Sequence, residues 1–160
     1  METTTLPVSH VRVETTKGFA EVTERLGRQL GRLDIGVFRS LPVEPREVER
    51  QIGAMAGSSG FMLFGTMDHG ALLSMAGKPV KAVQYVVGNP LFAVQMTRYN
   101  LAAGLYAPLR LLVYENDEGK TVLEYDKPSS LFGQFRDDRI ATVAEMLDRK
   151  LEDLVAGTVR

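Results

Sequence analysis

Apolar positions recur along this chain with two spacings, and the changes of spacing mark out its elements. Residues 8–14 alternate apolar and polar side chains, the period of a strand with one buried face. Phe19, Val22, Leu26, Leu30 and Leu33 then recur every three or four residues. That spacing predicts an amphipathic helix over residues 17–33, capped by Thr15 or Thr16. Residues 35–43 contain Gly36 and Pro42 and read as a connector or a short edge strand. Glu44-Pro45 opens a second helix, with Pro45 in the first turn, where a missing N–H does no harm. Val48, Ile52 and Met55 mark its buried side, and Gly57-Ser58-Ser59-Gly60 ends it.

A run over residues 60–67 is apolar on both faces, as a central strand is. Asp68-His69-Gly70 breaks it, and residues 71–75 form a short helix or a loop. Another strand covers 80–87. Gly88 then permits a tight exit, Asn89 suits a helix N-cap and Pro90 the first turn of a helix over 91–103. Strands at 109–114 and 121–125 flank an acidic loop in which Gly119 supplies a positive φ, the pattern of a β-hairpin. Lys127-Pro128-Ser129-Ser130 breaks the sheet, with Ser129 or Ser130 capping a turn through Phe135. Ile140, Val143, Ala144, Leu147, Leu151, Leu154 and Val155 form the stripe of a last helix over 137–156, with Asp137 and Asp138 at its positive end. Neither a linker nor an internal repeat interrupts the 160 residues, so a single α+β domain over residues 1–160 is expected.

Composition narrows the chemistry. With 44% hydrophobic and 24% charged residues, the chain reads as an ordinary soluble domain. Nineteen basic residues against twenty acidic ones leave no surplus for a phosphate backbone, which argues against nucleic acid as a partner. The chain has no cysteine, hence no thiolate nucleophile or cysteine-held metal, and its two histidines, His10 and His69, cannot form a histidine cage. No metal site and no cofactor are expected. The first residues lack a signal-peptide pattern and no apolar run is long enough to span a bilayer, so a cytoplasmic protein without membrane contact is the expectation.

Asp68 and His69 form the one acid–histidine pair in the middle of the chain. A carboxylate can tune a histidine as a general base. Neighbours on a strand point to opposite faces, however, and a turn accounts for both residues. Tyr106, Tyr114 and Tyr125 offer polar tips in the β region, and Tyr125 with Glu124 lines a pocket with His69 if their strands lie close together. Arg98 and Arg110 suit an anionic ligand or surface ion pairs. The seven methionines, Met67, Met75 and Met96 among them, read as core filler, since no haem-attachment motif accompanies them. Ser58-Ser59 lacks both the nucleophile-elbow pattern and a P-loop lysine. The Phe92–Met96 and Phe132–Phe135 segments are candidate dimer faces.

In order and spacing, three segments resemble the domain of unknown function 302 family: the 61–70 strand with its Asp-His-Gly turn, Gly88-Asn89-Pro90 before a helix carrying Met96, and 103–108 with the hairpin and Glu124-Tyr125-Asp126. The resemblance covers residues 44–130. Asn100-Leu101-Ala102 departs from it where related sequences often carry a proline, so the helix end there differs. The resemblance implies a mainly antiparallel sheet with helices packed on one face, a two-layer architecture like that of the TATA-binding protein. It also implies homodimers. It assigns no activity, and fold alone sets none. The expectation is therefore a homodimeric domain that binds a small molecule without catalysis, with His69, Asn89, Tyr106 and Tyr125 as candidate ligand contacts. One alternative is an enzyme using His69 as acid or base with Asp68 or Tyr125. Another is a purely structural or regulatory interaction module.

Overall fold

The structure is a computed structural model and describes residues 1, 3–40 and 44–160. Among the described residues six strands form one sheet: β1 (His10–Thr15), β2 (Gly31–Arg32), β3 (Met62–Asp68), β4 (Ala82–Gly88), β5 (Leu109–Glu115) and β6 (Thr121–Asp126). Their order is β1-β6-β5-β4-β3-β2, antiparallel throughout except for the short parallel pair β2–β3. The helices are α1 (Phe19–Gln29), α2 (Pro45–Met55), α3 (His69–Ser74), α4 (Pro90–Thr97), α5 (Pro128–Phe132) and α6 (Asp138–Val159). The expected α+β fold, mainly antiparallel with helices on one face, is what forms.

Register explains which face is covered. Tyr85, Leu111, Tyr125 and Val11 lie side by side across β4, β5, β6 and β1, as do Val83, Val113, Leu123 and Val13. These residues meet α1 and α6 in the main core, where Val22, Leu26, Ile140 and Leu151 have no exposed surface. Gln29 of α1 donates from Nε2 to Thr158 Oγ1 of α6 at 3.0 Å, tying the two helices together. A smaller cluster of Val37, Val48, Ile52 and Met62 lies under α2.

Several boundaries differ from the sequence pattern, each for a local reason. The helix expected over 17–33 ends at Gln29, with Gly18 in place of a threonine at its N-cap. The chain turns out of that helix because Gly31 lies against the end of α2: a Cβ on Gly31 would sit 1.7 Å from the Met55 carbonyl oxygen. Only glycine fits there, and Gly31 starts β2 instead. Residues 35–40 form a 3₁₀ helix, Ile35–Ser40, while positions 41–43 lie outside the described residues. The helix expected to 103 stops at Thr97, after which Asn100 caps a 3₁₀ helix, Leu101–Tyr106, by accepting from Ala102 N at 3.0 Å.

β3 is not the central strand its apolar run suggests. It is next to the sheet edge, and β2 covers it only at Met62 and Leu63. Its two apolar faces serve two cores at its start, with Met62 in the small cluster and Leu63 against the large one. Its remainder is exposed, Phe64 at 40% and Met67 at 51%. Neither Ser129 nor Ser130 caps α5. Ser129 instead bonds Asp148 of α6, donating from Oγ to Oδ2 at 2.6 Å, and Ser130 Oγ accepts from Ser9 N at 3.0 Å. The hairpin is as expected, with Gly119 at φ 75°.

Candidate functional site

The Gly88-Asn89-Pro90 segment borders an apolar space between α4, β3 and α6. β4 ends at Gly88, and Asn89 turns both ends of its amide inward. Oδ1 accepts from Leu91 N at 2.9 Å, capping α4, and Nδ2 donates to the Gly60 carbonyl at 3.0 Å. Asn89 is 9% exposed, so these bonds replace water it has lost. They also fix the start of α4 against the turn that precedes β3. Beside this junction lies a cavity of about 300 Å³. Phe38, Phe61, Phe64, Phe92, Met96 and Leu147 contribute to its wall, together with Ala93, Thr97 and Pro108. Phe61 and Phe92 meet edge to face with centroids 6.2 Å apart. The one hydroxyl in the wall among the described residues, Thr97 Oγ1, donates to the Ala93 carbonyl at 3.0 Å. Asn89 and Thr97 thus satisfy their polar groups within the protein, and the wall is nearly all hydrocarbon.

Asp68 and His69 sit elsewhere. Asp68 Oδ1 accepts from Ala71 N at 2.8 Å, so the carboxylate is the N-cap of α3 and His69 its first residue. His69 lines an open groove of about 720 Å³ on the uncovered face of the sheet, with Gln84, Leu112, Tyr114 and Glu124. Tyr125 is on the opposite face, 4% exposed in the main core, where burial pushes its phenol up. Two strands also lie between β6, which carries Tyr125, and β3, which leads into His69, so those strands are about 14 Å apart across the sheet. Glu124 shares the groove with His69; Tyr125 does not. Tyr106 packs edge to face on Phe132 and Phe135 and lines a third hollow with Arg110 and Asp126. The four candidate ligand contacts are therefore not brought to one place. Asn89 alone borders the apolar cavity.

Both candidate dimer segments give their largest side chains in part to the protein's own core. Met96 and Phe132 are each 1% exposed and belong to the main core, and Phe92 packs against it. Of the apolar side chains in those stretches, Val94 is the one that is largely exposed.

The sequence reading passed over a charged cluster on the uncovered face. His10 Nδ1 lies 2.9 Å from Asp126 Oδ1, and its Nε2 lies 3.4 Å from Glu124 Oε2. Arg12 Nε is 3.3 Å from Glu124 Oε1, to which Tyr114 donates its hydroxyl at 2.8 Å. The hydrogen bond to Asp126 holds the His10 imidazole above its ordinary pKa, with Glu124 adding to the effect. The signal was the matching alternation of polar residues on β1 and β6. What the sequence does not state is their register, which sets His10 opposite Asp126 and Arg12 opposite Glu124. Among the described residues no three His, Asp or Glu side chains converge to hold a metal ion.

Comparison with known proteins places this architecture. A crystal structure of an uncharacterized conserved protein DUF302 from Bacillus stearothermophilus superposes with a TM-score of 0.66 at 24% identity. The match covers 94% of this chain and 98% of that one, and shows a shared fold. Two proteins named fluoride-specific ion channels, FluC 1 of Brucella suis and FluC 2 of Brucella melitensis, are each 30% identical over 86 residues, or 53% of this chain. The chain spans only about a third of their length, 34% and 32%, so the activity in their names belongs to those whole proteins. Among the described residues no helix is long and apolar enough to cross a membrane. The family model described as Domain of unknown function DUF302 matches residues 39–157, from the first 3₁₀ helix into the last turn of α6, and the chain belongs to that family.

Proposed function

We propose that this protein is a homodimeric binding domain for a small apolar molecule, held in the cavity between α4 and the start of β3. The observation that carries the reading is the hydrocarbon wall around about 300 Å³ of space. Such a volume is at the lower end of ligand pockets and admits a guest of about ten non-hydrogen atoms. An apolar cavity offers water too few partners and instead takes apolar guests. Because Asn89 and Thr97 spend their hydrogen bonds inside the protein, recognition is by shape and hydrophobic contact. A bicyclic aromatic or a short acyl chain fits these terms. The separation of His69 from Tyr125 favours binding over acid–base chemistry.

The test is a panel of indole, naphthalene and medium-chain acids followed by thermal unfolding and by methyl NMR at Met96 and Leu147. A guest at about 100 times its Kd stabilises by about 2.7 kcal/mol, a readable rise in Tm. Ala93→Leu puts extra carbons into the space and is expected to abolish that rise while the protein stays folded. If no guest moves the Met96 or Leu147 methyl signals, or if Ala93→Leu binds as the parent does, the cavity is not the site. The homodimer draws its support from apolar side chains left uncovered on β3 and α3.

A further inference from the structure

Two neighbouring rows of the sheet connect the apolar cavity to a cation. Val86 of β4 is the register partner of Arg110 on β5. Two residues further along lie Gly88 and Pro108, which side-chain alternation puts on the same, uncovered face. These two meet closely. A Cβ on Gly88 would sit 3.2 Å from Pro108 Cβ and 3.4 Å from Phe64 Cε2. Glycine at position 88 therefore leaves the space between Phe64 and Pro108 unfilled, and all three residues border the cavity.

Val86 and Arg110 border the adjoining hollow of about 510 Å³, together with Leu105, Leu131 and Asp126. Ala107, Pro108 and Leu109 border both spaces, so the two adjoin along that segment. From Pro108 to Arg110 is one step of the pleat on one face, about 7 Å along the strand.

The two spaces differ in chemistry. Asn89 and Thr97 turn their polar groups onto the backbone, so the cavity wall offers a guest hydrocarbon. In the hollow Arg110 is exposed, and among the described residues no carboxylate pairs with its guanidinium. Asp126 borders the same hollow, but its Oδ1 lies 2.9 Å from His10 Nδ1. A planar guanidinium matches a carboxylate through two parallel hydrogen bonds. One guanidinium near an aspartate balances a single negative charge, which suits a carboxylate better than a doubly charged phosphate monoester.

We infer that the guest of the cavity is a medium-chain carboxylic acid whose carboxylate pairs with Arg110. Its tail fills the cavity, and its chain leaves over Gly88 between Phe64 and Pro108. A tail of about eight to ten carbons suits the cavity volume. The head keeps its charge beside an exposed side chain, where water still reaches it, while the tail gains by leaving water.

This inference names a ligand class for the cavity and rests on that reading, so the experiment separates the two. Decanoate and 1-decanol share a tail and differ in the head. Calorimetric titration of the full chain at about pH 7.5, where the acid is ionised, measures both. Arg110→Gln is expected to weaken decanoate about fivefold, the size of an exposed charge pair, and to leave decanol unchanged. High salt is expected to shrink the effect on decanoate, because such a pair is screened. By NMR, decanoate is expected to move the Met96 methyl and the Arg110 Nε signals together. Equal decanoate affinity in parent and variant, or an equal loss for both ligands, overturns the pairing with Arg110 and leaves the cavity as a binding site. So does a parent that binds naphthalene but neither decyl compound. A parent that binds none of the three overturns both readings.

Discussion

Asn89 does more for this fold than its motif announces. One buried side chain caps α4 and holds the Gly60 carbonyl, and so joins two segments about thirty positions apart in the chain. Asn89→Ala removes the cap, at about 1 kcal/mol, and leaves Gly60 without its partner, at roughly 1 to 2 kcal/mol more. A total of about 2 to 3 kcal/mol is expected in urea denaturation. Asp68→Ala removes a cap of the same kind from an exposed six-residue helix and is expected to cost about 0.5 to 1 kcal/mol. The comparison checks whether burial, rather than motif type, sets the importance of the two signatures. Equal costs would show that the bond to Gly60 contributes nothing.

Elements with one apolar stripe were legible in the sequence, and those shaped by a neighbour were not. α6 was readable because Ile140 through Val155 repeat with helical spacing and a capping aspartate precedes them, all within the element itself. The hairpin was readable through Gly119 for the same reason. The end of α1 was hidden because its cause, the Met55 carbonyl against Gly31, lies in another element. β3 misled because a run apolar on both faces suits a central strand and equally suits an edge strand that touches two cores at one end. The candidate site followed suit. Asn89 could be placed from its local sequence, but the cavity beside it draws walls from α4, β3, β5 and α6, and no single segment encodes their meeting. The separation of His69 from Tyr125 depends on strand order, which is likewise a property of the whole sheet.

At the scale of the molecule, β1 closes the sheet over β6 along its full length, and part of that closure is titratable. The His10 pKa is raised in the folded protein, first by its hydrogen bond to Asp126. The stability it contributes is therefore fully present below the ordinary histidine value near 6.5 and is lost as pH rises through the raised value. The side chain is about half exposed, so the effect is screened and at most about 1 kcal/mol. Urea denaturation at pH values on either side of that window should show the parent losing this increment, and His10→Gln should flatten the difference. A variant with the parent's slope would assign the pH dependence to other groups.

The pairing of β1 with β6 bears also on where this molecule can be cut. The family match begins at residue 39, after β1, α1 and β2, yet these elements supply an edge of the sheet and the fully buried Val22 and Leu26. A fragment trimmed to residues 39–157 would bare the backbone of β6 and open one side of the main core to water. Borders drawn from what relatives have in common fall inside the border that folding requires. For expression, domain grafting or fusion, the unit to carry is the one that keeps residues 10–32 with the rest.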